Sequence, residues 1–73
     1  MKLHYYKETD SLYIDLSLKT SVDSKEISPG VVLDYSEDDQ IVGIDIQQAS
    51  QVVDLSIIEA DDIPIKKLSF IQK

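Results

Sequence analysis

The chain contains no cysteine, no tryptophan and no arginine, and in 73 residues it has one histidine, two glycines and two prolines. Each absence excludes something. Without cysteine there is neither a disulfide framework nor a thiolate metal site. One histidine leaves a transition-metal centre with little but carboxylates to offer. No apolar run approaches the length of a membrane span, and the N-terminus does not read as a signal peptide. A cytoplasmic protein with no membrane partner is the expectation.

Seven lysines stand against fourteen carboxylates, giving a net charge of −7. A phosphate backbone is bound by clustered positive charge, with arginine favoured for bidentate contacts. The balance therefore argues against nucleic acid as a partner. It keeps a small domain soluble and would steer it towards a basic surface. Residues 1–73 form one small domain, near the size at which a single core gives only marginal stability.

What is present is patterned for strands. Ser28–Gln47 places the apolar runs Val31–Ser36 and Ile41–Ile46 on either side of Glu37-Asp38-Asp39-Gln40, a hairpin signature. Pairing about that tetrapeptide sets Tyr35 against Val42, Leu33 against Ile44 and Val31 against Ile46, all on one side. The other side pairs Ser36 with Ile41, Asp34 with Gly43 and Val32 with Asp45. Leu3–Leu18 reads as a second hairpin turning at Lys7–Asp10, with Tyr5 against Leu12 and Leu3 against Ile14. His4, Tyr6, Tyr13 and Asp15 fall on its opposite side.

Val22–Ile27 is extended but rich in charge, as suits an edge strand. Ser28-Pro29-Gly30-Val31 fits a type II turn, which would set Ile27 opposite Val32. After Gln47 a short helical turn is expected, with Ser50 as its candidate N-cap, followed by extended chain. Ile65–Ile71 has the pattern of a last strand, and Pro64 cannot lie inside a helix or a central strand. The fold class expected is α+β, mainly β: an antiparallel sheet of two hairpins plus an edge strand, a short helix, and a C-terminal strand.

Three motifs, taken together, resemble an uncharacterised prokaryotic family, domain of unknown function 2283. They are Tyr5 with Leu12-Tyr13-Ile14-Asp15-Leu16 and Asp10 in the turn, then Pro29–Tyr35, then Ile41–Ile46 with Ala49-Ser50. The resemblance covers about residues 1–53 and leaves 54–73 as an extension. Family members tend to carry a glycine where this chain has Asp38-Asp39-Gln40. The resemblance implies small soluble proteins, sometimes encoded beside toxin-like genes, and hence an antitoxin-like or partner-binding role. It implies no catalytic residues.

The residues offer few alternatives. His4 has no nucleophile, acid or orienting group evident around it. Glu37-Asp38-Asp39 lacks the spacing and distal glutamate of a calcium loop. The four tyrosines lack the basic groove that a single-strand-binding platform needs. Asp15, Asp34 and Asp45 share the outer side of the sheet by parity. If their strands are neighbours, the three carboxylates and Tyr13 form a patch able to hold a hard cation or act on protons. Ile27, Val32 and Ile41, with Tyr13, make the same side more apolar than solvent requires, so either the C-terminal segment crosses it or another chain does, the latter by self-association or as a protein partner. The function expected is thus a small non-catalytic interaction module without a cofactor. The alternative is a cation-dependent enzyme or small-ligand binder built on the carboxylate patch.

Overall fold

The computed structural model describes residues 1–71. Five strands form one antiparallel sheet: β1 (Lys2–Tyr6), β2 (Ser11–Asp15), β3 (Asp23–Ser28), β4 (Val31–Tyr35) and β5 (Ile41–Ile46), in the order β1-β2-β5-β4-β3. A single-turn helix, α1 (Ala49–Val52), follows. The α+β, mainly β class read from the sequence is what the chain adopts. No helix among the described residues is long and apolar enough to cross a membrane.

The first hairpin has the expected register, Leu3 with Ile14 and Tyr5 with Leu12. Its four-residue turn closes through Asp10, whose φ of +51° lies in the left-handed region that short polar side chains tolerate. Pro29-Gly30 joins β3 to β4, and Gly30 takes the φ of +81° that the third position of a type II turn demands.

The central hairpin departs from the expected pairing at its tip. Val31–Ile46, Leu33–Ile44 and Asp34–Gly43 pair as the parity argument gives, but Tyr35 lies opposite Ile41 rather than Val42. The cause is loop length. Ser36 N–H donates to Gln40 O at 2.8 Å, Asp39 N–H donates to Ser36 O at 3.0 Å, and Asp39 has φ +63°. That is a three-residue loop with a left-handed last position, which carries a bulge beside it. The bulge absorbs one residue and restores the register beyond. A second bulge between Glu26 and Ser28 puts Glu26, not Ile27, opposite Val32.

Strand order then fixes what each face carries. On one side run the rows Leu3–Ile14–Ile44–Leu33–Lys25 and Tyr5–Leu12–Ile46–Val31–Ser28. On the other run Lys2–Asp15–Gly43–Asp34–Ser24 and His4–Tyr13–Asp45–Val32–Glu26. One face is apolar and the other polar, the usual division for an antiparallel sheet. The apolar face is only partly closed: Leu12, Val42 and Ala49 are its buried hydrophobic residues.

The helix cap differs from expectation. Gln48, with φ +52°, occupies the N-cap without a side-chain cap bond, while Ser50 lies inside the helix. Beyond it, residues 53–71 contain no strand, so the extended segment Ile65–Ile71 pairs with nothing in the sheet. Local bonds shape that segment instead. Ser56 N–H and Oγ both reach Asp54 Oδ1, at 3.0 and 2.5 Å. Ile65 N–H donates to Ile63 O at 2.7 Å across Pro64.

Candidate functional site

The polar face is organised by a glycine. Gly43 lies mid-strand between Asp15 on β2 and Asp34 on β4. A Cβ there would sit 2.0 Å from Tyr13 Oη and 2.7 Å from Cζ. The Tyr13 ring therefore crosses the space above Gly43, which lets a residue of β2 reach β4. Tyr13 Oη donates to Asp34 Oδ2 at 2.7 Å, and Ser24 Oγ donates to Asp34 Oδ1 at 2.6 Å. One hydrogen-bonded chain, Tyr13–Asp34–Ser24, thus braces four of the five strands over a bare glycine.

The electrostatics follow. The bond to Asp34 pushes the Tyr13 phenol up to about 12, with its partial burial and the negative charges of Asp34, Asp15 and Asp45 adding in the same direction. A phenol held neutral so far above its ordinary range is a fixed donor, neither nucleophile nor base at neutral pH. Both oxygens of Asp34 already accept a hydrogen bond.

Strand order does bring Asp15, Asp34 and Asp45 to one face around Tyr13. It does not gather them: no group of three or more His, Asp or Glu side chains close enough to hold a metal ion occurs among the described residues. A shallow, open depression beside them is lined by Tyr6, Thr9, Ser11, Tyr13 and Asp45. His4 stacks on Tyr6 at its margin, with ring centroids 6.4 Å apart. A depression open to solvent on this scale does not enclose a substrate.

The apolar residues assigned to this side are scattered. Val32 lies between two carboxylate-bearing neighbours, Asp45 and Glu26. Ile27 sits at the edge bulge, and Ile41 lies opposite Tyr35 at the hairpin tip; both are exposed. Of the four, Tyr13 is committed to Asp34.

The continuous apolar surface lies on the opposite face. At its β1 end Leu3 and Tyr5 are 46% and 47% exposed, and Leu16, just past β2, is 36% exposed. Among the described residues, no large side chain of the molecule is fully buried. Sequence reasoning takes this face for a closed core, because alternation shows which side is apolar and not what covers it.

Asp10 ties this end of the sheet to the helix. Its carboxylate accepts from Tyr5 Oη at 2.7 Å, from Ser50 Oγ at 2.6 Å and from Ser50 N–H at 3.1 Å, and its carbonyl accepts from Ala49 N–H at 2.8 Å. These bonds, the hydroxyl of Ser50 first, hold the Asp10 carboxyl below its usual range. Asp10 thus supplies from outside the cap that Gln48 lacks. At the other end of the sheet, Lys19 Nζ donates to Asp38 Oδ2 at 2.8 Å and Gln40 Oε1 at 2.7 Å, pinning the central hairpin's loop.

These features describe a small antiparallel-sheet protein with one braced polar face, one half-open apolar face and a single helical turn. Residues 2–50 match the family described as "Protein of unknown function (DUF2283)", and the chain belongs to that family. The match spans all five strands and the start of α1. No curated protein and no solved structure matches the chain.

Proposed function

We propose that the chain is a small protein-interaction module that works through the apolar face of its sheet and carries out no chemistry. One observation carries this reading. The face presents Leu3, Tyr5 and Leu16 to solvent beside a core whose buried hydrophobic residues are Leu12, Val42 and Ala49. Water removed from such a surface is worth about 25 cal/mol per Å² of apolar area, so an unpartnered face of this kind favours association. On the polar face the Tyr13 hydroxyl and both oxygens of Asp34 are taken up in bracing the strands, which supports the same reading. An acidic body would further suit a basic, toxin-like protein as the partner.

The test is capture from the host's lysate by tagged protein, with Leu3→Asp as the matched bait. Leu3 is half-exposed on an edge strand, and far-ultraviolet circular dichroism of Leu3→Asp checks that the bait is folded. A stoichiometric protein, or the chain itself, held by the wild type at low salt and lost by Leu3→Asp is the expected result. Equal capture by both baits, or no association of either with anything, would overturn the reading.

A further inference from the structure

The chain exposes 6389 Å², whereas a compact monomer of 8.2 kDa exposes about 4,500 Å². Its radius of gyration, 13.2 Å, exceeds the roughly 11 Å expected for a compact domain of its length. The excess surface includes two apolar places. One is the open end of the apolar face, at Leu3, Tyr5 and Leu16. The other is the segment Ile65–Ile71, where Leu68, Phe70 and Ile71 are 71%, 75% and 82% exposed.

Charge divides the chain at the same point. Residues 65–73 hold three of the seven lysines and no carboxylate, while residues 1–64 hold four lysines and fourteen carboxylates, a net −10. The chain therefore carries an apolar, basic segment and an acidic body with an open apolar face, and within one copy both stay exposed.

We propose that Ile65–Ile71 is an arm that docks on the apolar sheet face of a second copy of this chain, reciprocally. The proposal rests on the reading of that face as an interaction surface and names its occupant. A reciprocal exchange satisfies both exposed surfaces twice with one contact, as a two-fold symmetric dimer requires. The area is of the right size. An exchange that buried half of the excess of about 1,900 Å² per chain would remove about 1,900 Å² in total, the size of a stable protein–protein interface. Lys66 and Lys67 would bring positive charge to a body of opposite sign, which makes the exchange salt-sensitive.

The experiment places a benzophenone photo-crosslinker at Phe70 of the full chain and irradiates it mixed with isotope-labelled wild type. Crosslinks between copies, mapping to β1 and β2 around Leu3, Tyr5 and Leu16, are expected. Lys66→Glu/Lys67→Glu should weaken the self-association at least tenfold while the far-ultraviolet circular dichroism stays unchanged. Crosslinks confined to one chain, or self-association indifferent to both substitutions, would overturn the arm exchange. If those outcomes came with Leu3→Asp-sensitive capture of a different protein, the arm exchange alone would fall. Without such capture, the interaction reading would fall too.

Discussion

A methyl group on residue 43 would collide with Tyr13 and force its ring out of the face, breaking the bond to Asp34. Losing that partly exposed, charge-assisted bond costs about 1–2 kcal/mol. Replacing glycine by alanine within a strand returns about 0.5–1 kcal/mol of backbone entropy. The loss wins, so Gly43→Ala should destabilise the protein by about 1 kcal/mol. With Tyr13→Ala already made, that collision is gone, and the Cβ meets only the end of the Asp34 side chain, 3.3 Å away at Oδ2, which can turn aside at small cost against the entropic gain. Gly43→Ala should then be neutral or stabilising, a reversal of sign that urea denaturation of the double-mutant cycle would reveal. Equal effects in both backgrounds would remove Tyr13 from the account of Gly43.

The same face sets an alkaline limit. Tyr13 ionises near the ordinary phenol value of 10.0 when unfolded and at about 12 when folded. The raised value means its contribution to stability is complete below 10 and disappears as pH rises through 12. Asp38 has the opposite sign. Bonds from Lys19, and then from Ser36, lower its carboxyl from 3.8 to about 2, so its contribution is present above 3.8 and lost as pH falls through 2. Spectrophotometric titration should show a phenol ionising at about 12 that is missing from Tyr13→Phe. Asp34→Asn should bring it down towards 10.0. A Tyr13→Phe variant whose alkaline titration lacks only an ordinary phenol near 10.0 would contradict the brace.

At the scale of elements, the two turns of the β3–β4–β5 meander make the same demand on backbone, a positive φ, and meet it with different residues. Gly30 has φ +81°, and a Cβ there would meet Gln47 only at an ordinary 3.7 Å, so Gly30→Ala is penalised by dihedral strain alone. The expected cost is about 1–2 kcal/mol. Asp39 has φ +63° with an aspartate where glycine would be strain-free. Asp39→Gly should therefore gain up to about 1 kcal/mol, once the entropic cost of glycine is subtracted. Midpoints of denaturant unfolding compare the two directly, and a shift of the same sign in both would refute the dihedral argument.

Much of this level was legible in the residues. Alternation gave both hairpins, because a period of two has one consistent register when one face is apolar. It missed the bulge at Tyr35, because the loop closes one residue earlier than the acidic tetrapeptide suggests. It missed the bulge at Ile27 for a similar reason, since one unpaired residue leaves no mark on a polar edge. Gly43, in the middle of the strand Ile41–Ile46, was a readable sign of close approach, and the Tyr13–Asp34 brace stands above it. The Asp10–Ser50 tie spans forty residues and depends on β2 lying beside β5, which no local pattern encodes.

At the scale of the whole molecule, the sheet has one edge defended and one not. β3 carries a bulge and Lys25 on the apolar side, with every residue exposed. These features discourage further pairing. β1 has no bulge and leads into the open apolar surface at Leu3 and Tyr5. The asymmetry concentrates association at one end of the molecule, the end that Asp10 holds rigid against the helix.

The most direct measurement of this account is carbene footprinting of Leu3, Tyr5 and Leu16, made on dilute purified protein and again in concentrated host extract. The interaction reading predicts strong labelling of all three when dilute and their protection in extract, with exposed residues of β3 such as Lys25 labelled alike in both. Equal labelling of Leu3, Tyr5 and Leu16 in the two conditions would mean that nothing covers the face, and would contradict the central claim.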